Sequence, residues 1–275
     1  MQTRGIASVV FGMMTVLVGS AFPTAAMDPQ RSAVPHSPMP FAIAQMPGSS
    51  LAFFWGKDDP PSTVEGRWRI TEGTTPEGED YTGTIEMEAI GDRADNLYQL
   101  SWNTSEGNYR GLGFYEDGRL LVGSGREDGI YGVALYRIED DGTLAGKWSL
   151  STAQGAVGTE IATGARSGDV AGEYRTESTD PGEAESSFTG RLTISRLDDT
   201  YRLVWRVDED TYRGIGLRSG DWLIVGWGPG DDFAVAEYEF DGNEATGRTA
   251  VSGSVNVGEE VRIVPAKVKV EIPKT

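Results

Sequence analysis

The chain has 275 residues, with 24 Lys+Arg against 42 Asp+Glu, a formal charge of −18 and a pI near 4.4. That balance argues against a nucleic-acid or anionic-membrane binder, because phosphate neutralisation needs basic patches. The absence of Cys excludes disulfides, thiol nucleophiles, thiolate metal sites and iron–sulfur clusters, and 37 glycines favour turns and strands over long helices.

Residues 1–26 read as an export signal. Arg4 is the only early charge, an apolar run follows from Gly5 to Phe22, and Thr24, Ala25 and Ala26 supply small residues before a cleavage point at Met27. An uncleaved anchor is the alternative, because the run is long for a signal core. The expected address is periplasmic or secreted, with no membrane span after cleavage. Residues 27–63 read as a flexible tether: seven prolines and no hydrophobic period leave too little apolar surface to offset chain entropy. The only His, His36, lies there. An apolar island, Leu51 to Trp55, interrupts the tether.

The remainder repeats itself. Shifting residues 98–125 by 103 positions aligns 12 identities in 28, including Tyr98/Tyr201, Leu100/Leu203, Trp102/Trp205, Tyr109/Tyr212, Arg110/Arg213 and Gly123/Gly226. The offset drifts from 106 at Gly66/Gly172 to 102 at Tyr136/Tyr238 and 100 at Gly158/Gly258, as insertions in hairpin loops would cause. A period near 100 is too long for a solenoid unit, so the reading is two domains, residues 64–164 and 168–265, with a tail at 266–275.

Each copy reads as about eight short strands. In the first they are expected at 64–70, 82–90, 97–103, 109–115, 119–124, 130–138, 143–150 and 159–163. Tyr98, Leu100 and Trp102 alternate with Gln99, Ser101 and Asn103, the period-2 pattern of a half-buried strand. Asp117-Gly118, Asp128-Gly129, Asp141-Gly142 and Asp241-Gly242 mark tight hairpins. An antiparallel meander of this size most easily removes its edges by closing into a barrel, one per copy; a β-sandwich is the alternative. Eight strands enclose packed side chains or one small ligand.

Each copy also opens with Gly-x-aromatic, Gly66-Arg67-Trp68 and Gly172-Glu173-Tyr174, which resembles the first strand of lipocalin and avidin barrels. The Tyr-x-Leu-x-Trp and Tyr-x-Gly-x-Gly strands resemble exported bacterial proteins of uncharacterised function, some labelled fibronectin-binding. That resemblance implies adhesion or binding, and it supplies no catalytic motif.

The chemistry-bearing residues are few. With one His in the tether, no Ser–His–Asp or multi-His zinc site can form on the scaffold. No phosphate-binding Gly-rich loop precedes a helix, and nothing singles out a catalytic pair among the acids. Asp208-Glu209-Asp210 and Asp231-Asp232 lack calcium-loop spacing and read as turns. The chain is therefore expected not to be an enzyme and to need no cofactor or metal. The site-like residues are Tyr98, Trp102, Tyr109 and Ser124 with their counterparts Tyr201, Trp205, Tyr212 and Trp227, which either line a ligand cavity or fill the barrels as core. Ser124/Trp227 and Trp148/Thr249 break the symmetry, so any pocket should differ between domains. Arg110 and Arg213 are expected to make surface ion pairs with nearby acids. Two functions follow as alternatives: a binding protein for a small apolar ligand or an extracellular partner, or a structural envelope or matrix protein.

Overall fold

The computed structural model describes residues 64–164, 170–228 and 230–266; the signal, the tether and the tail beyond Ala266 lie outside the described residues. The first copy supplies β1 (Gly66–Thr74), β2 (Asp80–Ala89), β3 (Leu97–Thr104), β4 (Gly107–Glu116), β5 (Arg119–Arg126), β6 (Gly132–Ile138), β7 (Leu144–Leu150) and β8 (Gly158–Thr163). The second supplies β9 (Gly172–Asp180), β10 (Glu183–Leu197), β11 (Thr200–Val207), β12 (Asp210–Ser219), β13 (Trp222–Gly228), β14 (Phe233–Asp241), β15 (Glu244–Val251) and β16 (Gly258–Pro265). The strands sit where hydrophobic alternation places them. They are joined by tight turns such as Asp117-Gly118, whose positive φ values of 49° and 80° are those of a two-residue hairpin.

The strands close into two antiparallel eight-stranded barrels, as the meander predicts. Their membership corrects the expected domains, because the copies exchange strands. Barrel I runs β1-β16-β15-β14-β5-β4-β3-β2, five strands of the first copy completed by three of the second. Barrel II runs β10-β11-β12-β13-β6-β7-β8-β9, the reciprocal combination. Thus neither 64–164 nor 168–265 closes on itself. β5 pairs with β14 (Val122 opposite Ala236) and β13 with β6 (Val225 opposite Ala134), so the chain crosses between barrels after β5 and again after β13.

The physical reason lies on the outer faces of the crossing strands. Val122 and Leu120 point into barrel I, yet Leu121 between them is also fully buried; Leu223, Ile224 and Val225 repeat this in barrel II. Outward residues Leu112, Phe114, Leu121, Val133 and Leu135, with Ile215, Leu217, Ile224 and Val235, are all 3% exposed or less. They form a second core between the barrels, each such side chain contributing about 1.5–3 kcal/mol of burial. Both barrels belong to one compact unit.

Backbones meet closely at this seam. A Cβ on Gly123 would lie 2.2 Å from the Gly132 carbonyl oxygen, and one on Gly226 would lie 1.8 Å from that of Ala234. Only glycine allows that approach. Polar contacts rim the seam: Trp222 Nε1 donates to Asp117 (2.7 Å), Arg119 donates to Ser219, and Arg248 donates to the Arg218 carbonyl (2.6 Å). Lys147 pairs with Glu116 and stands 4.5 Å over the Phe114 ring. Burial pulls the Lys147 pKa down, and the neighbouring Glu116 carboxylate offsets part of that shift.

Candidate functional site

Each barrel holds a glutamate in its interior, at equivalent places. In barrel II, Glu160 on β8 accepts from Tyr136 (2.6 Å) and Trp205 Nε1 (3.2 Å) on one oxygen and from Ser178 (2.7 Å) on the other. In barrel I, Glu260 on β16 accepts from Tyr81 at 2.5 Å, while Trp102 Nε1 donates to the Tyr238 hydroxyl (3.1 Å), which lies close to the carboxyl group. Each Glu–Tyr–Trp set combines Glu and Tyr from one copy with Trp from the other, so neither set exists without strand exchange.

The two carboxyls are not satisfied equally. Opposite Glu160 on the neighbouring strand stands Ser178, a hydroxyl donor; opposite Glu260 stands Gly73, whose α-carbon is covered by the Tyr81 ring. Glu260 is 2% exposed and its Oε2 has no hydrogen-bond partner. Burial lifts its pKa to about 7, with the Tyr81 and Tyr238 hydroxyls opposing the rise. Burial raises the Glu160 pKa as well, against its three donors. Burial, and then the Glu260 charge, push the Tyr81 phenol well up.

The ends of the barrels nearest these carboxyls differ more. In barrel II, Trp148 (β7) and Trp227 (β13) meet edge to face at 6.0 Å; Phe188 packs on Trp148 at 6.4 Å and Tyr212 on Trp227 at 6.1 Å. Gly132, opposite Trp227, leaves room for the indole: a Cβ there would lie 2.2 Å from it. The corresponding positions of barrel I are Thr249 for Trp148, Ser124 for Trp227 and Ala234 for Gly132, by matching register. The symmetry-breaking residues come from different copies, yet exchange gathers both indoles in barrel II and both small hydroxyl residues in barrel I. Without an indole to cover it, Tyr109 is 38% exposed and donates to the Glu106 carbonyl (3.1 Å); its counterpart Tyr212 is half-buried.

The candidate aromatics thus divide by depth. Tyr98, Trp102, Tyr201 and Trp205 are buried in the two cores, the two indoles held by hydrogen bonds. Ser124 is 9% exposed, and Tyr109, Tyr212 and Trp227 lie at the ends. Arg110 makes its surface pair with Glu127 at 3.2 Å, whereas its counterpart Arg213 makes no ion pair among the described residues. Sequence reasoning missed Glu160, Glu260 and Tyr81. The recurring Gly-x-Glu of Gly158/Gly258 could have found the glutamates, because the same offset of 100 aligns them on inward positions. Among the described residues, no cluster of three or more acidic or imidazole side chains could hold a metal ion. No protein-family model, no curated protein and no solved structure matches the chain.

Proposed function

We propose that the chain is an exported, non-catalytic binding protein in which barrel I takes one small, largely apolar ligand and barrel II is a filled support. The observation that carries this reading is the unequal pair of barrel ends. Two indoles close barrel II at positions where barrel I has Ser124 and Thr249. Apolar walls with a few convergent polar groups are the common chemistry of small-molecule sites; here the walls are Tyr81, Tyr109 and Trp102, and the polar groups are Glu260 and the rim hydroxyls. Export rests on the signal-like segment 1–26.

Native mass spectrometry of the mature protein from its own envelope fraction tests the reading. The expected result is one added mass per chain, lost in Thr249→Trp. That variant restores the residue barrel II carries, and its cross-strand neighbours Ala236 and Gly258 match the Ala134 and Gly158 that flank Trp148. Two added masses per chain, or one that survives Thr249→Trp, would refute it. A bare chain favours the second reading, an envelope or matrix module acting through its outer surface.

A further inference from the structure

We propose that the ligand of barrel I is a small primary amine with an apolar or aromatic body, its ammonium group seated against Glu260 Oε2. This rests on the open-barrel reading above. Barrel II shows what the glutamate position requires when nothing is bound: Ser178 supplies a donor to the second carboxyl oxygen. Barrel I keeps the glutamate, the tyrosine and the tryptophan but puts Gly73 where that donor would be, leaving a buried acceptor oxygen unpartnered. An unfilled buried acceptor is costly, so the missing donor is the part of the site a ligand would provide.

The choice of a cation over a neutral donor comes from the surroundings. The groups facing Glu260 are the Tyr81 hydroxyl from β2 and the Tyr238 hydroxyl from β14, with the Trp102 indole N–H behind Tyr238. They are all neutral, so the carboxylate has no counter-charge of its own. The phenol rings of Tyr81 and Tyr109 offer π faces that favour a cation, and a net charge of −18 concentrates cations near the surface and repels anions.

Depth sets the length. Thr249 pairs with Gly258 at the rim, and Glu260 lies two residues further in, roughly 7 Å at strand rise. An ammonium on a two-carbon stem with one ring spans that distance and leaves the ring at the level of Tyr109 and Ser124. Charge neutralisation on binding also holds Glu260 ionised, so amine affinity falls as the carboxyl becomes protonated.

Isothermal titration of the full chain at pH 8 with 2-phenylethylamine, 2-phenylethanol and 3-phenylpropanoate tests this. The amine should bind at one site per chain, about tenfold or more tighter than the alcohol, with the carboxylate not binding. Glu260→Gln should lower amine affinity by about tenfold or more and leave the alcohol within about twofold, and Thr249→Trp should remove both. Equal binding of amine and alcohol, or an amine affinity indifferent to Glu260→Gln, would overturn the ammonium assignment while leaving the open barrel intact. No saturable binding by any of the three, or binding untouched by Thr249→Trp, would overturn both. If either variant fails to fold, the order of the three probes on the unaltered chain decides.

Discussion

Replacing Glu260 by Gln should make the protein more stable at alkaline pH. The folded carboxyl has a pKa near 7, against an ordinary value of 4.5, because burial disfavours its charge. A group whose folded pKa is raised contributes stability that is complete below its unfolded pKa and is lost as pH rises through the folded one. At about 1.4 kcal/mol per pH unit, the full loss is on the order of 3 kcal/mol. Roughly 2 kcal/mol of it falls between pH 5.5 and 8.5, a range that stays clear of the isoelectric region. Glutamine does not titrate, so the variant keeps that stability. Any fixed cost of its buried amide cancels when the two pH values are compared, as does the titration of Glu160, common to both proteins. Melting followed by near-ultraviolet tryptophan signals should show the variant gaining about 4–8 °C on the unaltered chain between the two pH values. A difference between the proteins that stays constant with pH, or moves the other way, would refute the buried, under-satisfied carboxyl.

Trp102→Ala and Trp205→Ala should each cost about 3–5 kcal/mol in chemical denaturation, because each removes a core indole and a hydrogen bond into a buried set; an unchanged midpoint would contradict the inward placement. Gly226→Ala should destabilise by about 3 kcal/mol or more, since its Cβ would overlap the Ala234 carbonyl oxygen. A loss below about 1 kcal/mol, or the gain of roughly 0.5–1 kcal/mol expected at an uncrowded strand glycine, would show that the seam is not as close as described. Protease cleavage at a site engineered into residues 165–169 should leave the two fragments associated on native gel filtration, because each barrel needs strands from both. Release of two separately folded halves would disprove the exchange.

Much of this fold is legible in the sequence because strand periodicity and hairpin glycines are local signals. The stretch Tyr98 to Trp102 alternates, and the structure makes it a strand with those three side chains inward. The exchange was not legible, because equivalent strands of the two copies present nearly the same inward pattern, and β14 completes barrel I with the same register that β6 provides in barrel II. One clue was present: Leu120-Leu121-Val122 and Leu223-Ile224-Val225 lose alternation, which signals burial on both faces. The interior glutamates were hidden among 42 acids that otherwise suit turns and surfaces. The divergent pairs Ser124/Trp227 and Trp148/Thr249 were visible as differences, but only the pairing of strands decides which barrel receives which member.

That crossing changes what a duplicated chain can become. Each copy carries one indole and one small residue at the two rim positions, Trp148 with Ser124 and Trp227 with Thr249. Copies that closed on themselves would give two half-stoppered barrels, and so would a symmetric dimer of either copy alone. Reciprocal exchange within a single chain sorts the same four side chains so that one barrel end receives both indoles and the other both small residues. Fusion therefore gives the molecule two unlike barrel ends that no assembly of identical halves could reach, and a substitution in either copy at these positions is felt in the barrel the other copy helps to enclose.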